Sequence, residues 1–588
     1  MIARPPYVLL DDARDDGAPT RLYRDPVRIV SATTITEIRP ALAAIRDGVA
    51  AGLQAAGMIA YEAGAALVDG APARDTIGPL LWFGLFADHR VLRADEVAAM
   101  LPDPAGAWAG KPEPLVTRPH YDDALAEVLE LIRAGDIYQA NFTFRTRVAI
   151  AGDPLALYAR LRRESAAGYG AVIDTGDTLL LSLSPELFFA LDGDALTCRP
   201  MKGTARRGDT PAQDQALAAT LATDAKQRAE NLMIVDLMRN DLSRVATLGS
   251  VAVPALFTVE TYPTIHQLTS TVTATLRPDG DAIDVIEALF PCGSITGAPK
   301  RRAMEVIHDV EPDARGAYTG AIGRVDATGA MFNVAIRTLA IQRGAQHATV
   351  GLGSGIVADS RADEEWAECL AKAAFVTAGQ RRFDLIETMA FDPDAGIAML
   401  DRHLARMKAS ADLFGFTFDR HAARNEMQAA TFRLREAKRI RLVLAASGAV
   451  AIEVAAMPPS PPVPWRVAIV PMPVGPSDFR LRHKTSDRGF YDAARRRAGT
   501  DEVLFAVDGK LTEGSFTSLF VRRADGMLVT PPLTRGLLPG VMRAELIDRG
   551  EAVEGDLAPA DLNDGFLLGN ALRGLIPAHI AAANIVGL

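Results

Sequence analysis

The sequence predicts a multi-domain protein of the α/β class, and three observations carry that reading. A chain of 588 residues is longer than one hydrophobic core sustains, and about 100–200 residues per domain divides it into several units. Short apolar runs, such as Tyr7-Val8-Leu9-Leu10 and Leu80-Leu81-Trp82-Phe83-Gly84-Leu85-Phe86, alternate with stretches of helical periodicity. The alternation restarts after Gly379-Gln380-Arg381-Arg382 with Phe383-Asp384-Leu385-Ile386-Glu387-Thr388-Met389, so residues 383–588 read as a separate α/β unit beyond a junction at 379–382.

Taken in order, residues 1–115 combine such runs with an Ala-rich helical pattern over 40–56 and hold no catalytic constellation. A Pro/Gly-rich strip, residues 102–114, separates them from a periodic helix over 121–134 that Gly135 stops. A strand over 136–144 and shorter ones at 171–173, 179–183 and 187–191 lead into the turn Arg199-Pro200-Met201-Lys202-Gly203-Thr204. A long helix over 211–242, a strand over 268–276, a small-residue turn at 290–300 and a helix over 301–308 follow. A strand over 331–341 containing Arg337 and a helix over 364–377 close the first half. The second half shows a helix over 400–414, a Pro-rich strip at 457–464, and strands near 465–470, 502–507 and 518–521. No repeat of 20–50 residues appears, which argues against a solenoid or propeller.

The 63 basic and 73 acidic side chains give a formal charge of -10, which leaves no basic surface for nucleic acid. Cys198, Cys292 and Cys369 are odd in number and lack Cys-x-x-Cys spacing, so neither a disulfide framework nor a zinc site is indicated, and a reducing cytoplasm fits. No signal-like amino end and no apolar window of about 20 residues is present, so no membrane span is expected.

Pro200 fixes φ ahead of Lys202 and Gly203 permits close approach behind it, so this lysine is held in place. Glu230 borders an apolar helical stripe, where carboxylates are seldom buried without a partner. Gly293-Ser294-Ile295-Thr296-Gly297-Ala298-Pro299-Lys300 sets small turn residues before a helix and leaves N–H groups free for an anion. Glu230 and Glu368, more than a hundred residues apart, form an oxygen-only pair that suits Mg²⁺, which keeps waters and takes one or two carboxylates plus an anionic substrate. Taken singly, these residues read as solvated helix charges, plain connections and, for Arg337, a salt-bridge partner.

Together, residues 136–143, 230–242, 293–300, 333–339 and 351–359 resemble the chorismate-binding enzymes: anthranilate, aminodeoxychorismate, isochorismate and salicylate synthases. The resemblance spans residues 117–376, with 1–115 similar to the amino-terminal part of the same fold, so residues 1–378 read as one synthase domain. It implies a two-sheet α/β sandwich, Mg²⁺ held by Glu230 and Glu368, and substrate contacts from Thr296 and Gly297. It further implies a grip on the enolpyruvyl carboxylate by Tyr318, Arg337 and the amides of Gly353, Ser354 and Gly355. Water-adding members carry a lysine base where this chain has Gln139, so ammonia is the implied nucleophile. Anthranilate synthases typically have alanine where Lys202 stands, whereas aminodeoxychorismate synthases have lysine in Pro-Ile-Lys-Gly-Thr, with Met201 replacing the isoleucine here. On this resemblance Lys202 attacks C2 of chorismate and expels the C4 hydroxyl, and ammonia enters at C4 and expels the lysine. Glu186, in Ser184-Pro185-Glu186-Leu187, is the implied general acid, a role that asks for a pKa near neutral. One departure is Gln267-Leu268 where the family often shows His-Leu; His266, one place earlier, points to the other face of its strand.

In the second half, His403-Leu404-Ala405-Arg406, Arg482-His483-Lys484-Thr485, Leu511-Thr512-Glu513-Gly514 and Gly536-Leu537-Leu538-Pro539-Gly540 resemble the fold-type-IV pyridoxal-phosphate enzymes. That group holds branched-chain and D-amino-acid aminotransferases and aminodeoxychorismate lyase, and implies a two-subdomain α/β fold over residues 383–588. By that resemblance Lys484 forms the internal Schiff base and moves the proton, Glu513 pairs with the pyridinium nitrogen, Arg406 binds the phosphate, and Thr388 helps protonate the departing pyruvate fragment. Ser518 stands where the family usually has asparagine. The combined expectation is a bifunctional cytoplasmic enzyme that uses Mg²⁺ and pyridoxal 5'-phosphate to turn chorismate and ammonia into 4-aminobenzoate for folate synthesis. No Gly-x-Cys-x-Gly elbow surrounds a cysteine, so ammonia is expected from a separate glutamine amidotransferase subunit or from free ammonium, and a homodimer through the second half is expected. The alternatives are an anthranilate synthase fused to an aminotransferase, or a fusion with one half kept as a binding module.

Overall fold

A computed structural model describes residues 4–262, 265–459 and 462–585; Ser460 and Pro461 of the Pro-rich strip lie outside them. The chain divides into two compact units, the first made of Met1–Leu101, Lys111–Ile150 and Tyr158–Gly379, the second of Pro102–Gly110, Ala151–Leu157 and Gln380–Leu588. The chain therefore visits the second unit twice before entering it for good.

Unit 1 is built on two antiparallel sheets. One runs in the order Gly297–Ala298, Gln139–Gly152, His347–Ile356, Thr338–Gln342, Thr178–Ser184, Tyr169–Asp174, Tyr7–Asp11, Thr20–Arg24, Arg90–Leu92. The other runs Met201–Arg206, Ile265–Thr275, Ala195–Arg199, Leu187–Asp192, Gly329–Val334, Ala321–Asp326, Gln54–Ile59, Leu81–Phe86, Arg28–Ala32. Between them lies an apolar layer, with Val8, Tyr23, Ile173 and Leu180 from the first sheet against Met58, Trp82, Phe86 and Ile322 from the second. A larger core packs helices Ile38–Ala50, Ala225–Ser243 and Ala282–Leu289 on the second sheet. Helix Arg118–Ala134 starts at a Thr117 cap and ends at Gly135, whose φ of 83° only glycine adopts cheaply. Its Tyr121 stacks on Phe142 (5.1 Å between centroids) and meets Trp366 edge-on (4.9 Å), while Trp366 stacks on Phe144 (5.1 Å). Each such pair contributes about 1 kcal/mol beyond area burial, and together they fix helix Ala362–Lys372 against strand Gln139–Gly152.

Four elements differ from the sequence reading. The helix expected over 211–242 is two, Pro211–Thr223 and Ala225–Ser243, because Asp224 leaves helical geometry and caps the second by accepting the Gln227 amide. The strand expected over 331–341 is two strands in different sheets, and Arg337, at φ 50°, sits in the crossover between them. The Ala-rich helix ends at Ala50, and Gln54–Ile59 is an interior strand. The helix expected over 364–377 ends at Lys372 and tightens into a 3₁₀ turn over Ala373–Thr377.

Unit 2 has a four-stranded sheet in the order Gly396–Ile397, Leu385–Asp392, Lys438–Leu444, Val450–Ala456. Its larger sheet runs Lys510–Gly514, Glu502–Val507, Trp465–Pro471, Gly574–Ile585, Phe566–Asn570, Ser518–Arg522, Leu528–Thr530, Ala552–Glu554, and Lys510–Gly514 also pairs with Ser518–Arg522, closing a ring. Val467, Leu504, Leu519, Leu568 and Phe566 fill it. Among the described residues no helix is long and apolar enough to cross a membrane.

Candidate active sites

In unit 1, Lys202 lies on strand Met201–Arg206 beside a register shift against Ile265–Thr275. Gly203, at φ 91°, makes that bulge, and Gln267 locks it: its Nε2 donates to the Gly203 carbonyl (2.8 Å) and its Oε1 accepts from Thr204 Oγ1 (3.0 Å). His266 faces elsewhere, toward Asp214 (2.8 Å) and Thr261 (3.0 Å). The lysine reaches Gly355, where a β-carbon would sit 2.8 Å from both Lys202 Nζ and Gln139 Nε2. Gln139 is 1% exposed, and neither polar atom of its amide has a hydrogen-bond partner among the described residues, an arrangement that asks for a ligand.

Glu186 is buried and accepts a hydrogen bond from Ser294 Oγ (2.7 Å). Burial pushes its carboxyl up to about 7, against the opposing pull of Ser294 and Lys202. Burial lowers the Lys202 amine; Glu230, Glu186 and Glu368 resist, and Lys372 adds to the lowering. These residues therefore share one electrostatic field. Burial also raises the Glu230 carboxyl, with Glu368 and Glu365 contributing against Lys202 and Lys226. Glu368 pairs with Lys372 (2.8 Å) and its side chain is 55% exposed; Glu365 is committed to Ser360 (2.7 Å). Among the described residues no three His, Cys, Asp or Glu side chains group around a common point. The donor set is thus two mutually repelling carboxylates at an accessible place, which fits Mg²⁺ with retained waters and a substrate oxygen and does not fit a closed transition-metal cage.

The implied substrate contacts are distributed unevenly. Thr296 is fully buried and spends its hydroxyl proton on the Cys292 carbonyl (2.8 Å), so it is left as an acceptor. Gly297, at φ 147°, presses on strand Gln139–Gly152, where a β-carbon would lie 2.2 Å from the Gln139 carbonyl. From Gly351 onward, strand His347–Ile356 is paired only with Gln139–Gly152, so alternate N–H groups of the 353–355 stretch are open on the other edge. Among the described residues the buried Ser354 hydroxyl has no hydrogen-bond partner. Tyr318 packs its ring on Gly351. Arg337 lies in the field of Tyr262, burial lowers its pKa, and its guanidinium has no hydrogen bond or ion pair among the described residues.

Several supports carried no assigned role in the sequence. Lys300 bridges Asp241 (2.6 Å) and the Leu289 carbonyl (2.8 Å), pinning the start of helix Lys300–Val310. Arg315, forked on Glu311 (2.6 and 2.9 Å), donates to the carbonyls of Ile295 (2.8 Å) and Asn141 (2.5 Å), joining the turn to the strand that carries Gln139. Glu311 is the extended cap of helix Lys300–Val310 and Arg315 lies in the loop beyond it, so no helical period marks this buried pair in the sequence.

In unit 2, the Lys484 carbonyl accepts from Ile386 N (3.0 Å), and Thr485 bridges to Leu385, so the lysine loop clips onto the edge of strand Leu385–Asp392. Burial draws the Lys484 amine down to about 7; Glu387 opposes this, while Arg406, Arg488 and Arg441 reinforce it. Glu387 is 1% exposed and accepts from Arg406 Nε (2.8 Å), Arg406 Nη2 (2.6 Å) and His403 Nδ1 (2.6 Å). Although burial opposes it, Arg406 and His403 hold that carboxyl far below its ordinary range. Arg406 also donates to the Pro539 carbonyl (2.9 Å), which leaves one hydrogen on each terminal nitrogen for an anion. Strand alternation places Thr388 on the face opposite Glu387, cross-strand from Arg441. Glu513 accepts from Tyr491 Oη (2.5 Å) and Leu538 N (3.0 Å), and burial pushes its carboxyl up to about 7. Ser518 Oγ would lie 2.6 Å from a β-carbon at Gly540, the cap of helix Val541–Asp548.

Three buried polar atoms around this lysine have no hydrogen-bond partner among the described residues: Thr485 Oγ1, His403 Nε2 and Arg488 Nη1. Those orphans, a neutral-leaning amine and a buried carboxylate fit a polar aromatic cofactor with an anionic arm. Glu387, His403, Arg441, Arg488 and Tyr491 are members of this site that sequence reasoning left unassigned.

Both architectures match known proteins. The chain belongs to the chorismate-binding enzymes: the family described as chorismate binding enzyme matches residues 12–378, and the family amino-transferase class IV matches residues 384–580. The chain is 44% identical over 258 residues to aminodeoxychorismate synthase component 1 of Salmonella typhimurium, covering 44% of this chain and 56% of that protein. It is 39% identical over 304 residues to anthranilate synthase component 1 of Haloferax volcanii, covering 50% of this chain and 58% of that one. It thus spans little more than half the length of these relatives. Among solved structures, anthranilate synthase component I from Streptococcus pneumoniae aligns with a TM-score of 0.54 at 27% identity, over 62% of this chain and 92% of its own.

Proposed function

We propose that the protein makes 4-aminobenzoate in two steps, amination of chorismate at C4 in unit 1 and elimination of pyruvate in unit 2. The observation that carries the first step is the convergence of Lys202 Nζ and the unpartnered Gln139 amide on Gly355, within the field of a Glu186 whose pKa is about 7. An amide cannot take a proton from water, so the nucleophile must arrive already able to attack, as ammonia does. The unprotonated Lys202 amine attacks C2 of chorismate, the ring double bonds shift, and the C4 hydroxyl leaves with the Glu186 proton as water. Ammonia then adds at C4, the double bonds shift back, lysine leaves C2 as the amine, and Glu186 recovers a proton from the new ammonium. Glu230 and Glu368 would hold Mg²⁺, which when bound supplies positive charge against the ring carboxylate.

In unit 2, Lys484 would carry the pyridoxal 5'-phosphate, which when bound supplies an electron sink for the C4 carbanion. Glu513 would pair with the ring nitrogen, Arg406 and the Gly540 turn would hold the phosphate, Lys484 would remove the C4 proton, and Thr388 would deliver a proton to the departing fragment. All three cysteines are buried, and relatives are named as component 1 of their synthases; both support a separate amidotransferase component as the nitrogen source. The anthranilate synthase relative favours a second reading, amination at C2.

Incubating the protein with chorismate, Mg²⁺, ammonium and pyridoxal 5'-phosphate, then separating aromatic products, decides between them. The para isomer is expected; 2-aminobenzoate as sole product removes the C4 reading. Lys202→Arg keeps a positive charge but cannot attack, so it should abolish amination while chorismate still binds. Retained turnover would rule out the covalent step.

A further inference from the structure

We propose that residues Pro102–Gly110, which lie in the first half of the sequence, position Lys484, with Asp103 and Trp108 clamping the loop that carries it. These residues belong to unit 2. The inference rests on the reading of Lys484 as the reactive amine of that unit.

Two contacts make the clamp. Asp103 divides its carboxylate: Oδ1 accepts from Ala105 N (3.0 Å) and caps its own turn, and Oδ2 accepts from Arg480 Nη2 (2.8 Å). Arg480 is 4% exposed on its side chain, forks onto Asp478 (2.6 and 3.0 Å), lies 3.6 Å from Asp487 and stacks 5.0 Å over Phe490. It therefore ties Asp103 to both ends of the segment 478–487 that contains Lys484. The second contact is apolar. Trp108, 7% exposed, meets Phe414 edge-on at 4.9 Å, and Phe414 meets His483, the neighbour of Lys484, at 4.7 Å. His483 also hydrogen-bonds Ser410 Oγ (2.9 Å), one turn before Phe414 on the same helix.

Between these contacts, Gly106 lies so close to Asp478 that a β-carbon would stand 2.8 Å from its Oδ2, and the Ala109 amide donates to Gln380 Oε1 (2.9 Å). The opposite side of the loop is held by Ile386 N on the Lys484 carbonyl and Ser486 N on the Asp384 carbonyl (2.8 Å). The loop thus has two jaws, and one of them is supplied by the early segment. Releasing it hydrates Lys484 and moves it from Arg406, Arg488 and Arg441, while also loosening its approach to Glu387; since burial is the largest of these influences, the amine returns toward its ordinary basicity.

The test uses the full chain without added cofactor. Competitive acylation across pH, read residue by residue by mass spectrometry, gives the titration of Lys484, with the half-exposed Lys408 as internal reference. Wild type should show an amine titrating near neutrality; if Lys484 titrates like Lys408, both this proposal and its parent reading fall. In Asp103→Ala and in Trp108→Ala, Lys484 labelling at pH 7 should drop about fivefold, the effect of one unit of pKa, while ammonia-dependent chorismate consumption stays within twofold. Asp103→Glu and Trp108→Phe should restore it. Unchanged Lys484 labelling in both alanine variants overturns the clamp. If the alanine variants also lose chorismate consumption, Asp103→Asn, which keeps the cap and weakens the Arg480 tie, decides alone: about twofold less labelling supports the proposal, and none refutes it.

Discussion

Replacing Ser294 with alanine isolates what one hydroxyl does to the acid of unit 1. Ser294 Oγ donates to Glu186 Oε1 at 2.7 Å in a fully buried setting, and a hydrogen bond to a charged group is worth about 1.5–3 kcal/mol. At 1.36 kcal/mol per pKa unit that is about one to two units, and the lower end applies if a water enters the space left. The sign follows from the donor: the hydroxyl favours the carboxylate, so its loss raises a pKa already pushed to about 7 by burial. Glu186 acts in its protonated form, so amination falls as pH rises through its pKa, and the variant should keep activity to about one pH unit higher. The assay is kcat/KM for chorismate consumption from pH 5.5 to 9.5, expressed per free ammonia. A limb that stays in place, or moves to lower pH, refutes Glu186 as the titrating acid.

Three further outcomes follow from the same geometry. Gly355→Ala places a β-carbon 2.8 Å from Lys202 Nζ and Gln139 Nε2, and should cut amination by about 10²-fold while leaving the unit 2 reaction intact, measured with supplied aminodeoxychorismate. Glu230→Gln and Glu368→Gln should each raise the Mg²⁺ concentration for half-maximal amination at least ~tenfold, a loss of about 1.4 kcal/mol in affinity. Lys484→Met should stabilise unit 2 at about pH 6 in denaturant titrations and lose that advantage toward about pH 10: the folded amine titrates near 7 and the unfolded one at its higher ordinary value, so wild-type stability rises with pH across that window.

What the sequence makes legible is local. Helix Leu400–Phe414 follows from its apolar spacing and from Gly415, which closes it at φ 68°. Lys202 is marked by its own neighbours, since Gly203 forms the bulge that turns it. What it hides is whatever depends on contacts distant in the chain. Asp224 reads as one more helical residue until its carboxylate is seen capping the next helix. Arg337 reads as a strand residue because the apolar pattern is continuous across a crossover from one sheet to the other. The strip at residues 102–114 reads as a separator because Pro and Gly carry no period; the arginine that gives Asp103 its partner stands 377 positions away. Glu387 reads as an interior strand acid beside the more conspicuous Thr388, and only the fold sets Arg406 and His403 on it.

The chemistry proposed for unit 1 needs an amine without its proton and a carboxyl with one, a few bonds apart, at one pH. In water the two groups titrate about six units apart in the wrong order, with lysine near 10.4 and glutamate near 4.3. Burial moves both in the useful direction, Lys202 down and Glu186 up, because it penalises whichever form is charged. The same burial strengthens the pull of nearby carboxylates, and Glu230 and Glu368 draw the Lys202 amine back up against it. These are the two side chains that suit a dication. A dication held by them would offset that pull and let burial lower the amine further, so the conditions that complete the site around its substrate are also those that favour its unprotonated nucleophile.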